Sequence, residues 1–386
     1  MRALKIFTII SLTLFLSVSC NRAEEGESAP ALILYVDKSE IYKKGEEVVT
    51  FSLTYEGAPV TDGYTIYLHE ADGTDVPIEG NTYTPTDGRE YCFWAEYNSV
   101  KTATYTCVYV VPDPPAVPVD NNPGMTNFTR RVLLTQFTGT GCQYCPYMVN
   151  ALYEILNYKD VNTKEYVYRD KVAVAAAHIG PFASYDPALM VDDASFDDAF
   201  GINSYPSLVV DLIKGSNDNI SPTYSSIKSA VDNALERTTV KGGIAVNAVY
   251  DKGVNYVVIN TLVKAAESAK FRVGAWLLED GIYGKQSKSS GIPSYEQIDY
   301  NTHNNCIRSA NSKYSNLNFA GLDLGTIEAG QTASKTFSFK IKSNWNVNKL
   351  RLLVFISTEE SRNVWYVNNV VKAPINGFVD FEYTAE

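Results

Sequence analysis

Cys142 and Cys145 lie in the stretch Phe137-Thr138-Gly139-Thr140-Gly141-Cys142-Gln143-Tyr144-Cys145-Pro146. Thiols at this spacing can close a disulfide, exchange it with other thiols, or share a metal ion. The spacing of apolar residues beyond them predicts a helix over roughly Cys142 to Tyr158. A cysteine in the first turn of that helix faces unpaired backbone N–H groups and the positive end of the dipole, both of which favour thiolate over thiol. The i, i+3 spacing puts Cys145 on the same face, ready to close on Cys142. Pro146 fits because the first helical turn does not need its N–H. Zinc wants four ligands, usually from a second close pair. The other cysteines are isolated and His69, His178 and His303 are scattered along the chain, so neither a metal nor another cofactor is expected.

The segment around the pair alternates strand and helix. Arg131 to Phe137 reads as a strand, Lys171 to His178 as a buried strand rich in Val and Ala, and Ser195 to Phe200 as a short helix. Ser207 to Leu212 reads as a strand and Tyr224 to Arg237 as a helix with Ile227, Ala230, Val231, Ala234 and Leu235 on one face. Such alternation indicates an α/β layer. With the Cys-x-x-Cys pair, Tyr205-Pro206 before an apolar strand resembles the thioredoxin-like family. The resemblance implies that Cys142 is the nucleophile, Cys145 the resolving thiol and Pro206 a cis-proline beside the disulfide. It also implies thiol or disulfide groups of other proteins as partners. Two positions depart from that pattern. Gly141 stands where Trp is common, and Gln136 stands where many relatives hold a buried acid that takes up the resolving thiol's proton, which Gln cannot do. Both catalytic exchange and a purely structural disulfide stay open. His178 reads as a strand-end residue satisfying a loop. Glu279 and Asp280, adjacent on a strand, point to opposite faces and make a poor acid/base pair.

On either side of this segment the pattern is β. Residues 31–112 alternate in short runs with turns at Glu56-Gly57, Asp72-Gly73, Asp87-Gly88 and Asn98-Ser99, which suggests an immunoglobulin-like sandwich. A two-residue Asn98-Ser99 loop sets Cys92 opposite Tyr105, so Cys107 is a diagonal neighbour; two buried thiols are favoured over a disulfide. Five prolines between Pro112 and Pro123 make residues 113–128 a stiff linker. The thioredoxin-like domain then covers 129–240 and a C-terminal β-sandwich 241–386, with Glu279 to Asn305 as a long Gly/Ser/Asn-rich connection.

The N-terminus addresses the export route. Arg2 and Lys5 precede an apolar run from Ile6 to Val18, too short for a bilayer span but suited to a signal peptide over 1–19. Leu16-Ser17-Val18-Ser19-Cys20 is similar to a bacterial lipoprotein cleavage box, which implies lipid on Cys20 and a tether over 20–30. Cleavage would move the net charge from −11 to −13 by removing Arg2 and Lys5. An acidic chain lacks the basic patch that nucleic acid needs, so the membrane, through the lipid, is the expected partner.

A wider resemblance is carried by Val132-Leu133-Leu134-Thr135-Gln136-Phe137-Thr138-Gly139-Thr140, Tyr205-Pro206, Leu278-Glu279-Asp280-Gly281-Ile282 with Gln286, and His303-Asn304-Asn305-Cys306-Ile307-Arg308. These resemble outer-membrane lipoproteins named for a 28-kilodalton outer-membrane protein. The resemblance implies an outer-membrane location, on the periplasmic or cell-surface face, and no particular substrate. His303 and Arg308 read as structural. The fold class expected is multi-domain, α/β plus all-β. Two functions follow as expectations: thiol–disulfide exchange, or a non-enzymatic surface or adhesin-like lipoprotein built on the same scaffold.

Overall fold

The computed structural model describes residues 32–42, 44–190, 196–237, 239–310 and 318–384. The signal peptide expected over 1–19, the tether expected over 20–30 and the expected lipidation position Cys20 lie outside the described residues.

Contacts divide the chain into two units. The smaller, built from 32–39, 48–84 and 91–108, holds short strands whose apolar residues alternate inward, as in Val49, Phe51 and Leu53. Leu32–Val36, Val49–Tyr55 and Ala58–Val60 pair antiparallel, while Tyr64–His69 pairs with Asp75–Pro77 and with the strand from Tyr91 on. Phe51 meets Phe93 edge-on at 4.7 Å. Cys92 and Cys107 form a disulfide, with their Cα atoms 4.0 Å apart. The expected free thiols are corrected here. Residues 102–105 leave the strand, and pairing resumes at Thr106 in a register that brings Cys107 opposite Cys92.

The larger unit holds the described residues of 40–47 and 85–90 and those from Tyr109 on. Its strands β1 (Val132–Thr138) and β2 (Val172–His178) are buried on both faces and pair in parallel, which is why they read as continuous apolar runs. β3 (Ser207–Val210) runs antiparallel beside β1. Helices α1 (Cys145–Asn157) and α3 (Tyr224–Arg237) cover one face through Met148, Ile155, Ile227 and Val231, packed on Leu134, Val174 and Leu208. Short α2 (Phe196–Phe200) lies on the other, where Phe137 stacks on Phe196 at 5.3 Å.

The sheet does not end with β2. At Ala176↔Cys306 it continues in parallel to β7 (Cys306–Ala310), then to β6 (Ala269–Glu279), β10 (Leu350–Ser361) and β11 (Val364–Pro374), with β8 (Leu322–Ile327) also on β6. The result is one eight-stranded sheet in the order β3-β1-β2-β7-β6-β10-β11 with β8 off that path. A four-stranded antiparallel sheet, with β4 (Gly242–Asp251), β5 (Tyr256–Ala265), β9 (Thr332–Lys340) and β12 (Gly377–Val379), packs on it. Odd positions of β6, Phe271, Val273 and Leu277, enter the core between the sheets; Trp276 and Leu278 enter the opposite core.

The expected fold class is corrected by this sheet. A central thioredoxin-like α/β domain beside a separate C-terminal β-sandwich does not describe the molecule: the strands of both segments form one continuous sheet, and strand far outweighs the three α-helices among the described residues. The strand–helix alternation of 131–237 is local, and local periodicity does not say which distant strand completes a sheet.

The proline-rich stretch is extended but laced onto this unit. Asn247 donates to Ala116 O (2.8 Å) and Asn260 to Pro115 O. Lys264, fully buried, reaches Asp120 (2.7 Å) and the Asn122 and Pro123 carbonyls (2.9 and 3.0 Å).

Candidate functional site

β1 delivers the chain to Thr138, and a tight turn over Gly139–Tyr144 precedes α1. The helix starts at Cys145, three residues later than expected, with Tyr144 as its N-cap. Cys142 therefore sits in the turn, where its N–H donates to Gly139 O (3.0 Å) and its carbonyl accepts from Cys145 N–H (3.3 Å). Cys142 and Cys145 are joined in a disulfide. No side chain caps the helix and its first turn holds no acid, so the positive end of α1 is left to the Cys turn. Both cysteines are nearly inaccessible, at 3% and 0% exposure, while Gln143 and Tyr144 between them face solvent.

Tyr205–Pro206 is a cis peptide. Ser207, the next residue, pairs with Phe137, which sets Pro206 beside the end of β1 that leads into the Cys turn. Tyr205 donates its hydroxyl to Asp197 (2.7 Å) and meets Phe182 edge-on at 5.7 Å. Phe182 in turn lies over both glycines of the Cys turn: a Cβ on Gly139 would come within 2.8 Å of it, and one on Gly141 within 2.7 Å. Phe182 thus fills the space that a side chain at position 141 would enter. Only the glycines at 139 and 141 signal it in the sequence.

The long connection after β6 forms a strap over the turn. Gln286 Nε2 donates toward four carbonyls, Cys142 (2.9 Å), Ser287 (3.0 Å), Thr140 (3.1 Å) and Gly139 (3.3 Å). Ser287 N–H bonds Thr140 O (2.8 Å) and Ser289 N–H bonds Gln143 O (3.0 Å). Farther along α1, Tyr147 donates to Gly291 O (3.3 Å) and Asn150 to Pro293 O (3.1 Å).

Beneath the turn, two of the scattered histidines meet. His178 and His303 are 2% and 9% exposed, and their rings lie 4.9 Å apart at 86°. His178 Nδ1 bonds Asp186 Oδ2 (2.8 Å); the same oxygen accepts the Thr140 N–H (2.7 Å), and Oδ1 accepts from Ala188 N–H (2.9 Å). Burial would raise the Asp186 carboxyl, but His178 and these two N–H groups outweigh it and hold the pKa at about 2. His303 Nε2 donates to Gly284 O (3.0 Å), and burial, reinforced by His178, lowers its pKa. Both rings line a cavity of about 410 Å³ with Gln136, Thr138, Gln286 and Asp299. Gln136 is 5% exposed and its Nε2 has no partner.

The remaining polar residues are held structurally. Glu279 pairs with Arg308 (3.2 Å) and Asp280 with Arg351, so the adjacent acids serve different partners. Cys306 is a fully buried thiol whose pKa burial pushes up.

Residues 193–377 match the model of a family described as outer membrane protein Omp28. No curated protein matches the chain. Among solved structures, HBP35 of Porphyromonas gingivalis is 15% identical with a TM-score of 0.49, over 68% of this chain and 79% of that one. A DUF4785-family protein of Legionella pneumophila is 8% identical with a TM-score of 0.19, over 89% and 57%. The family match supports an outer-membrane, envelope location. Among the described residues no helix is long and apolar enough to cross a membrane.

Proposed function

We propose that this outer-membrane envelope protein, tethered by a lipid on Cys20, exchanges disulfides with thiols of other proteins through Cys142 and Cys145. The observation that carries the reading is the disulfide closed between these two residues at an uncapped helix end. An incoming thiolate attacks Cys142 Sγ, and the Cys142–Cys145 bond breaks with its electron pair passing to Cys145, which the helix end favours as thiolate. A second thiol of the partner then displaces Cys142, leaving the partner oxidised and the pair reduced. Gln136 cannot donate a proton to Cys145, so that proton comes from water. In the reverse direction the Cys142 thiolate of the reduced pair attacks a partner disulfide, releasing one partner thiolate, and Cys145 then attacks Cys142 Sγ, releasing the second. A Cys145→Ala variant should therefore trap a mixed disulfide, and the wild type supplied with dithiothreitol should reduce insulin; silence in both removes the reading.

A second reading is a non-enzymatic, adhesin-like surface protein with a structural disulfide. The burial of both sulfur-bearing residues under the Gln286 strap favours it. A reduction potential below about −300 mV for the pair would decide for this reading, and one between about −270 and −120 mV for exchange.

A further inference from the structure

The cavity beneath the Cys turn has the parts of a metal site. Each of its imidazoles has one nitrogen anchored: His178 Nδ1 on the Asp186 carboxylate and His303 Nε2 on the Gly284 carbonyl. In the neutral rings, acceptors at those positions hold the single proton, which leaves His178 Nε2 and His303 Nδ1 as the lone-pair nitrogens. A ring whose second nitrogen is held by a carboxylate or a backbone carbonyl is the arrangement that orients metal-binding histidines.

The spacing agrees. Two imidazoles on one ion, each nitrogen ~2.0 Å from it and the bonds roughly 90–110° apart, put their ring centres about 4.5–5.2 Å from each other. The observed separation is 4.9 Å with the rings edge-on at 86°, within that range and also within the range of a plain aromatic edge contact. The cavity of about 410 Å³ leaves room for water or a small anion in the remaining positions. Gln136 Nε2, buried on the cavity wall without a partner, is placed to donate to such a group. A buried donor left unmet is costly, so an occupant that accepts from it is favoured.

We propose that this cavity binds a late first-row transition-metal ion through His178 Nε2 and His303 Nδ1, with water or a small anion held by Gln136. Two neutral imidazoles and no thiolate select Cu²⁺, Ni²⁺ or Zn²⁺ over Mg²⁺ or Ca²⁺. The site does not depend on thiol exchange, since neither cysteine is a ligand.

The test uses the folded chain without its signal peptide. Calorimetric titration with Zn²⁺ should give one site per chain. His303→Ala should weaken it at least 10-fold, Asp186→Asn about 10–100-fold through loss of the ring's anchor, and His69→Ala not at all. Cu²⁺ bound to the wild type should show electron paramagnetic coupling to two nitrogens, a readout that stands even if a variant fails to fold. Absence of a stoichiometric site in the wild type, affinity unchanged by His303→Ala, or coupling to fewer than two nitrogens overturns the proposal.

Discussion

Gln286→Ala should open the Cys turn without unfolding the protein. The amide nitrogen sits 2.9–3.3 Å from the Gly139, Thr140, Cys142 and Ser287 carbonyls, three of them in the turn. An NH₂ group has two hydrogens, so the four contacts amount to about two full bonds. At about 0.5–1.5 kcal/mol net each, the clamp contributes roughly 1–3 kcal/mol to the closed turn. With a factor of ten per 1.4 kcal/mol, the variant should open about 5–150-fold more often. Because Cys142 and Cys145 are 3% and 0% exposed, a reductant reaches the bond through the open turn. Where reclosing is faster than reduction, the rate follows the open population. The assay is reduction by a phosphine, quenched with maleimide and resolved by peptide mass spectrometry, which separates this pair from Cys92–Cys107. Urea unfolding is measured alongside to confirm global stability. A reduction rate within twofold of wild type would refute the clamp, because two bonds of this size cannot vanish without raising the open population.

Gly141→Trp should destabilise the protein by about 1–3 kcal/mol in urea unfolding, since Phe182 occupies the space a side chain would enter; Gly141→Trp with Phe182→Ala should recover much of that loss, and additive losses would contradict the shared space. Asp211 is fully buried and accepts from Arg130 (2.8 Å), Arg237 (2.7 Å) and the Leu133 N–H (2.9 Å). Asp211→Asn should cost about 3–5 kcal/mol, whereas a loss under about 1 kcal/mol would mean the carboxyl is already neutral in the fold. Asp120 has its pKa lowered: burial opposes, but Lys264, the Asn122 N–H and Tyr383 prevail. Its contribution to stability is therefore complete above the unfolded carboxylate pKa, ~4, and fades as pH falls through the lower folded value. Asp120→Asn should flatten that acid limb in urea midpoints taken from pH 6 down to 2, and parallel limbs would argue against the Lys264 pairing.

What the sequence made legible was local. The apolar runs of β1 and β2 and the one-sided pattern of α3 gave those elements within a residue or two, because burial on both faces or on one stripe leaves a period in the chain. The start of α1 was misplaced because a Cys-x-x-Cys turn closed by Cys142 O and a first helical turn carry the same residues. Continuity of the large sheet was invisible: the Ala176↔Cys306 contact joins segments far apart in the chain, and neither strand carries a mark of the other. The same holds for the paired histidines. Read singly, His178 ends a strand and His303 lies in a loop; the Ala176↔Cys306 pairing, three residues after His303, brings the rings together. One buried charge offered a signal that was left unused in reading the sequence. Lys264, near the end of a strand that is otherwise uncharged, must find an anion, and the proline-rich stretch supplies Asp120.

The Cys turn and the histidine cavity are built from common parts, which bears on how either could work. Thr140 donates its N–H to Asp186, the carboxylate that orients His178, and gives its carbonyl to the strap. Gly284, whose carbonyl anchors His303, lies two residues before Gln286, which clamps the turn. A Cβ on Gly284 would come within 2.7 Å of Pro187 and 3.0 Å of Thr140, so the strap is wedged between the turn and the histidine with no slack. A close-packed contact of this kind transmits displacement rather than absorbing it. Lifting the strap to expose the disulfide therefore removes the acceptor that fixes His303, and holding His303 in place keeps the strap down. If lifting the strap frees His303, linkage requires that a ligand of the imidazole pair slow reduction of Cys142–Cys145, and equal reduction rates with and without Zn²⁺ would refute that coupling.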